Sequence, residues 1–117
     1  MNLMNLLKET INILTEHNLT SKDVVWVGNE EVKTNWENFA KIADVEYDHG
    51  FGSQQVATDL LIVGKNWWLE RHEYDGSEWW EFKQMPQKPK IKVELYRVIG
   101  GNWDSLEEMK AYLGQKK

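Results

Sequence analysis

Leu3, Leu6, Leu7, Ile11 and Leu14 recur at helical spacing, with Lys8, Glu9, Asn12, Thr15 and Glu16 between them. The pattern predicts an amphipathic helix from residue 3 to about 17, its apolar stripe covering a sheet. Asn18-Leu19-Thr20-Ser21 breaks the period, and Val24-Val25-Trp26-Val27 reads as a short β-branched and aromatic strand. The turn pair Gly28-Asn29 closes it, and Val32 with Lys33 returns as its hairpin partner. Thr34-Asn35-Trp36-Glu37 has the form of a capping box, with Thr34 as N-cap and Glu37 at the third helical position. From there Trp36, Phe39, Ala40, Ala43 and Tyr47 fall on one helical face until His49-Gly50 and Gly52 stop the helix.

Leu60 to Val63 reads as a buried strand. Trp67 to Tyr74 and Ser77 to Lys83 read as a hairpin around Asp75-Gly76, a pair suited to a two-residue turn. That turn sets Arg71 opposite Trp80 and Leu69 opposite Phe82, so alternation gives Trp67, Leu69, Trp80 and Phe82 one face. Trp68, Glu70, His72, Tyr74, Trp79 and Glu81 take the other. Met85 to Pro89 is a stiff connector, after which Ile91, Val93 and Leu95 alternate with Lys92, Glu94 and Tyr96 as a further strand. Asp104-Ser105-Leu106-Glu107 forms a second capping box that opens a helix from Ser105 to Leu113, ending at Gly114.

These elements predict an α+β fold, an antiparallel sheet of about four to six strands with helices packed on one face. At 117 residues the expectation is a single domain over 1–117. It comprises an N-terminal helix and loop (1–22), a sheet with an inserted helix (23–98) and a C-terminal helix (103–114). The expected core includes Trp36, Phe39, Leu69, Trp80 and Phe82.

Composition narrows the function classes. With 41% hydrophobic and 28% charged residues the chain is globular rather than disordered. No apolar run is long enough to span a bilayer and the start lacks a signal-peptide pattern, so the expectation is no membrane and a cytoplasmic location. The absence of cysteine removes disulfides, thiolate zinc sites and a cysteine nucleophile, and fits a reducing cytosol. The net charge of −5 conceals a polarised chain. Residues 23–81 hold 13 acids against four bases, giving −9, while residues 82–117 hold four acids against eight bases, giving +4. Direct nucleic-acid binding by the middle segment is disfavoured, because phosphate contacts need Lys and Arg.

The nucleophile elbow, the phosphate-binding glycine loop and the dinucleotide fingerprint are all missing; Gly50-Phe51-Gly52 lacks the third glycine. The carboxylate pairs Glu70/Glu81 and Glu73/Glu78 suit acid–base chemistry if burial separates their pKa values, and a solvated edge otherwise. Asp48, His49 and His72 are the candidate ligands for a divalent metal, zinc by their chemistry. Without a metal, His49 reads as a helix-end cation and His72 as an aromatic partner of Trp79.

Seven tryptophans are far above ordinary usage, and the pairs Trp67-Trp68 and Trp79-Trp80 force one member of each to the face opposite the core. Either a helix covers that face, or Trp68 and Trp79 form an exposed aromatic patch ringed by Glu70, Asp75, Glu78 and Glu81, with the anatomy of a hot spot. Such a patch can also stack sugars or bases, though its carboxylates oppose a phosphate backbone.

The stretch Asp44 to Phe82 carries Tyr47-Asp48, Gly50-Phe51-Gly52 and the motif Trp67-Trp68-Leu69-Glu70-Arg71-His72-Glu73-Tyr74-Asp75-Gly76-Ser77-Glu78-Trp79-Trp80-Glu81-Phe82. It resembles a family of small uncharacterised proteins carried by phages and other mobile elements of Gram-positive bacteria, over roughly residues 23–90. The resemblance supplies no catalytic residue. It implies a role in phage–host conflict, a setting that includes anti-CRISPR inhibitors of type II RNA-guided nucleases. Such nucleases hold nucleic acid in positively charged channels, which an acidic surface can occupy. The expected function is therefore stoichiometric blockade of a basic partner surface by Glu37, Asp44, Asp48, Glu70, Glu73, Asp75, Glu78 and Trp79. A small metal-dependent or hydrolytic enzyme centred on His72, and a host-takeover adaptor, are the alternatives.

Overall fold

The structure is a computed structural model that describes residues 3–50 and 52–113. Its elements are β1 (Leu3–Asn5), α1 (Leu6–Glu16), β2 (Trp26–Gly28), β3 (Lys33–Thr34), α2 (Trp36–Ala43), β4 (Glu46–Asp48), β5 (Leu61–Val63), β6 (Trp67–Tyr74) and β7 (Ser77–Gln84). The chain divides into two compact units, Met1–Met85 and Pro86–Lys117, the boundary falling in the Met85–Pro89 connector. The first unit is α+β. Its antiparallel five-stranded sheet runs β3-β2-β5-β6-β7, beside a two-stranded sheet of β1 and β4.

The β6–β7 hairpin has the register that alternation predicts, with Leu69 opposite Phe82 and Arg71 opposite Trp80. Asp75 (φ 52°) and Gly76 (φ 88°) are both left-handed, the conformation that a two-residue turn of this hand requires. Val27, Ile62, Trp67, Leu69 and Trp80 share one face of the sheet and form one buried cluster with Leu6 and Leu14 of α1 and Phe39 and Ala43 of α2. Trp36 and Phe82 are partly buried against it. Burying each large apolar side chain stabilises this unit by roughly 1.5–3 kcal/mol.

Both helices depart from their predicted limits. α1 begins at Leu6, because residues 3–5 pair with β4 as a strand and the Asn5 side chain caps the helix by accepting from Lys8 N–H (2.9 Å). Its buried stripe is Leu6, Thr10 and Leu14, while Ile11 is 44% exposed. Thr10 is drawn inside by two hydrogen bonds: its hydroxyl donates to the Leu6 carbonyl (2.7 Å) and accepts from Trp80 Nε1 (2.9 Å). α2 is capped by Asn35, not Thr34, with Asn35 Oδ1 accepting from Asn38 N–H (2.8 Å). It ends at Ala43, where Val45 N–H bonds the Ala43 carbonyl (2.8 Å) and turns the chain into β4. Tyr47 continues the helical period in sequence but lies in a strand opposite Met4. β2 starts at Trp26 rather than Val24, and Val25 is exposed.

The second unit contains no helix or strand among its described residues, which corrects both the strand over 91–96 and the helix over 105–113. The alternating 91–96 segment pairs with no β-ladder. Tyr96 N–H instead bonds the Ala111 carbonyl (2.7 Å), and the Arg97 guanidinium donates to the Met109 carbonyl. The second capping box forms one residue later than predicted, between Ser105 and Glu108 (3.0 and 3.2 Å). One helical bond follows, from Met109 N–H to the Ser105 carbonyl, and the left-handed Lys110 (φ 53°) then ends the turn. Gly114 lies outside the described residues.

Candidate binding surface and buried charge network

The sheet face opposite the core cluster carries one member of each tryptophan pair, Trp68 and Trp79. Alternation puts Trp68, Glu70 and His72 of β6 there, with Trp79, Glu81 and Lys83 of β7, and all six are half-buried. Glu70 stands directly opposite Glu81, and His72 opposite Trp79. Like charges so placed repel, and the indoles relieve the repulsion: Trp68 Nε1 donates to Glu70 (2.7 Å) and Trp79 Nε1 to Glu81 (2.7 Å). His72 Nε2 also lies 2.7 Å from Glu70. The Trp68 hydrogen bond, and after it the His72 one, hold the Glu70 carboxyl below the usual range. Trp26 and Val63 continue this face across the sheet, Trp26 opposite Val63 and Val63 opposite Trp68. The result is an aromatic surface whose indoles are fixed by carboxylates, so little side-chain freedom is lost when something docks on it.

Under the other face lies a charge cluster that joins five segments of chain. Arg71 donates to Glu9 (3.2 Å), to the Tyr47 hydroxyl (2.9 Å) and to Glu78 (2.7 Å), and its guanidinium lies 4.7 Å from the Trp80 ring centre. The Tyr47 hydroxyl donates to Glu9 (2.5 Å). Glu78 also accepts from the backbone N–H groups of Gln55 (2.6 Å) and Val56 (3.3 Å). The Arg71 and Glu78 side chains have no solvent exposure, and Glu9 has 12%. Burial works to lower the Arg71 pKa, but the bonds to Glu78, Glu9 and Tyr47 outweigh it and hold the guanidinium charged. Burial, reinforced by Glu9, pushes the Tyr47 hydroxyl well above the ordinary tyrosine range. With both carboxylate oxygens of Glu78 engaged inside the protein, this cluster is built to tie α1, β4, the 55–56 segment and the hairpin together.

The predicted binding residues fall in three places. Glu70 and Trp79 lie on the aromatic face, with Glu73 and Asp75 exposed at the hairpin tip. Glu37 is exposed in the first turn of α2, Asp44 ends that helix and accepts from the Asn5 side chain (2.9 Å), and Asp48 accepts from Gly50 N–H (3.2 Å). Glu78 must be corrected: at 2% exposure it is a core residue, since its inward strand position sets it against Arg71. The metal candidates are not brought together. Asp48 ends β4 and His49 follows it, where the His49 carbonyl accepts from Glu78 N–H and its ring packs edge-on to Tyr47, whereas His72 points to the opposite face and engages Glu70. No group of three or more His, Asp or Glu among the described residues is arranged to hold a metal. His72 stands opposite Trp79 in the hairpin register, and its Nε2 engages Glu70.

Glu9, Tyr47 and Arg71 were absent from the predicted site. The signal lay in the alternation itself, because continuing the Trp67–Leu69 face to residue 71, and the Trp80–Phe82 face back to 78, puts an opposite charge pair inside. Among the described residues no helix is long and apolar enough to cross a membrane. Comparison with protein families, with curated proteins and with solved structures returned no match to this chain.

Proposed function

We propose that this protein works by binding a partner protein with a basic surface through the outer face and tip of the β6–β7 hairpin. The observation that carries this reading is the Glu70/Glu81 pair clamped between Trp68 and Trp79, a preorganised aromatic and anionic patch of the kind that anchors interfaces. Glu73 and Asp75 extend the negative charge along the tip, while Glu37, Asp44 and Asp48 add to the long-range field that steers a basic partner inward. The excess of carboxylates turns nucleic acid away.

The phage-like motif makes a type II CRISPR nuclease the partner to test first, and the proposed outcome is anti-CRISPR inhibition by occupancy in the bacterial cytosol. Titration against such nucleases, following DNA binding and cleavage separately, should give inhibition that saturates near one equivalent, with added salt slowing association. Trp79→Ala and Glu70→Gln/Glu81→Gln should each weaken it in steps. No inhibition at several-fold excess rejects the nuclease, and undiminished binding by the hairpin variants rejects the surface. The Glu70-oriented imidazole of His72 favours a second reading, a hydrolytic site. Full inhibition at a small fraction of an equivalent, abolished by His72→Ala alone, would select it.

A further inference from the structure

Away from the hairpin, an open cleft of about 320 Å³ lies between β2, α2 and the 55–60 segment, lined by Val27, Phe39, Ala43, Val45, Val56 and Leu60 among others. Among the described residues no charged side chain lines it. Of its polar side chains, the Thr34 hydroxyl donates to Asn38 (3.0 Å) and the Tyr47 hydroxyl to Glu9, which leaves the exposed Gln55 amide as the polar group open to water. Ile42 and Val45, both cleft residues, are 68% and 54% exposed. A concave apolar site with large aliphatics left bare around it has the form of a pocket for an inserted group, and its volume is at the small end for ligand sites. The chain immediately flanking the lining is acidic. Asp44 lies between Ala43 and Val45, Glu46 between Val45 and Tyr47, and Asp59 next to Leu60, all three exposed, against two exposed bases, Lys41 next to Ile42 and Lys33 next to Thr34. Asp59 is held in place by the Asn29 amide (3.0 Å).

We propose that this cleft receives one bulky aliphatic or aromatic side chain from a basic segment of the partner protein, as a second anchor point. The inference rests on the binding function proposed above. The apolar walls select the inserted group, and the rim carboxylates select Lys or Arg on either side of it, which also disfavours fatty acids and anionic membrane surfaces. An acidic peptide with the same anchor meets like charge at the rim.

The test is a methyl-resolved NMR titration of the full chain with the capped peptide Lys-Lys-Leu-Phe-Lys-Lys. Saturable shifts at Val27, Ala43, Val45 and Val56 are expected, with binding at least about tenfold weaker when Leu-Phe is replaced by Ala-Ala, as for the loss of one buried anchor. Glutamate in place of the lysines should weaken it as well. Ala57→Trp, at an exposed lining position, should plug the cleft, and Val45→Asp should block its mouth by a different route, each with an otherwise unchanged spectrum. Trp79→Ala should leave peptide binding intact. Equal binding of the Ala-Ala or glutamate peptide, shifts confined to the hairpin, or full binding by both cleft variants overturns the inference. Should that happen while hairpin variants still lose the partner, the cleft proposal fails and the binding function stands. If instead the cleft fills and hairpin variants bind the partner normally, the hairpin surface fails and the cleft stands.

Discussion

Replacing Glu78 with alanine removes the most deeply embedded charge in the Met1–Met85 unit. The carboxylate has no exposure and accepts from Arg71, Gln55 N–H and Val56 N–H. Its loss leaves Arg71 buried with only Glu9 and Tyr47 as hydrogen-bond partners and leaves two backbone N–H groups without their acceptor. Removing one partner of a buried pair costs roughly 3–5 kcal/mol. A unit of this size has a total stability of about 4–13 kcal/mol, at roughly 0.05–0.15 kcal/mol per residue. Glu78→Ala should therefore move the urea midpoint down by several molar, at a slope of about 1 kcal/mol per molar, or unfold the unit outright. Glu78→Gln keeps an acceptor and removes the charge, so it should cost about 1.5–3 kcal/mol, the value of a charge-assisted hydrogen bond. Arg71→Met combined with Glu78→Gln should show a coupling above about 1 kcal/mol in a double-mutant cycle. Tryptophan fluorescence and far-UV circular dichroism under urea provide the assay, Trp80 being stacked on Arg71. A Glu78→Ala unfolding free energy within about 0.5 kcal/mol of the parent, the range for an exposed site, would refute the buried network and return Glu78 to the surface.

The pH dependence follows from Tyr47. Its hydroxyl pKa is raised on folding, so the folded protein holds the proton more tightly, and the associated stability is complete below about pH 10 and lost as pH rises beyond it. The urea midpoint should fall more steeply above about pH 10 in the parent than in Tyr47→Phe; parallel slopes would contradict this. At the start of α2, Asn35→Ala should cost about 1 kcal/mol in urea denaturation as the loss of a cap. Thr34→Ala should cost less, and the opposite ranking would restore the Thr34 capping box.

The β6–β7 hairpin was legible in the sequence because everything that determines it is local. Asp75-Gly76 selects the turn, the turn fixes the register, and alternation then assigns each side chain to a face. The α+β class followed from equally short-range periodicities. Tyr47 shows where that information stops: its spacing continues the α2 stripe, yet pairing of residues 46–48 with residues 3–5 makes it a strand residue. Thr10 has the polarity of an outer helix position, and only the distant Trp80 indole makes it a buried one. The 91–96 segment has every local mark of a strand but joins no sheet. Strand formation needs a partner ladder, and no property of the segment alone can supply one. The binding surface divides in the same way. Alternation placed Glu70 and Trp79 on the outer face, but the fate of Glu78 depended on Arg71, on Glu9 and Tyr47, and on the backbone of residues 55–56. A carboxylate enters a core only when donors from several segments converge on it, and that convergence is a property of the tertiary structure alone.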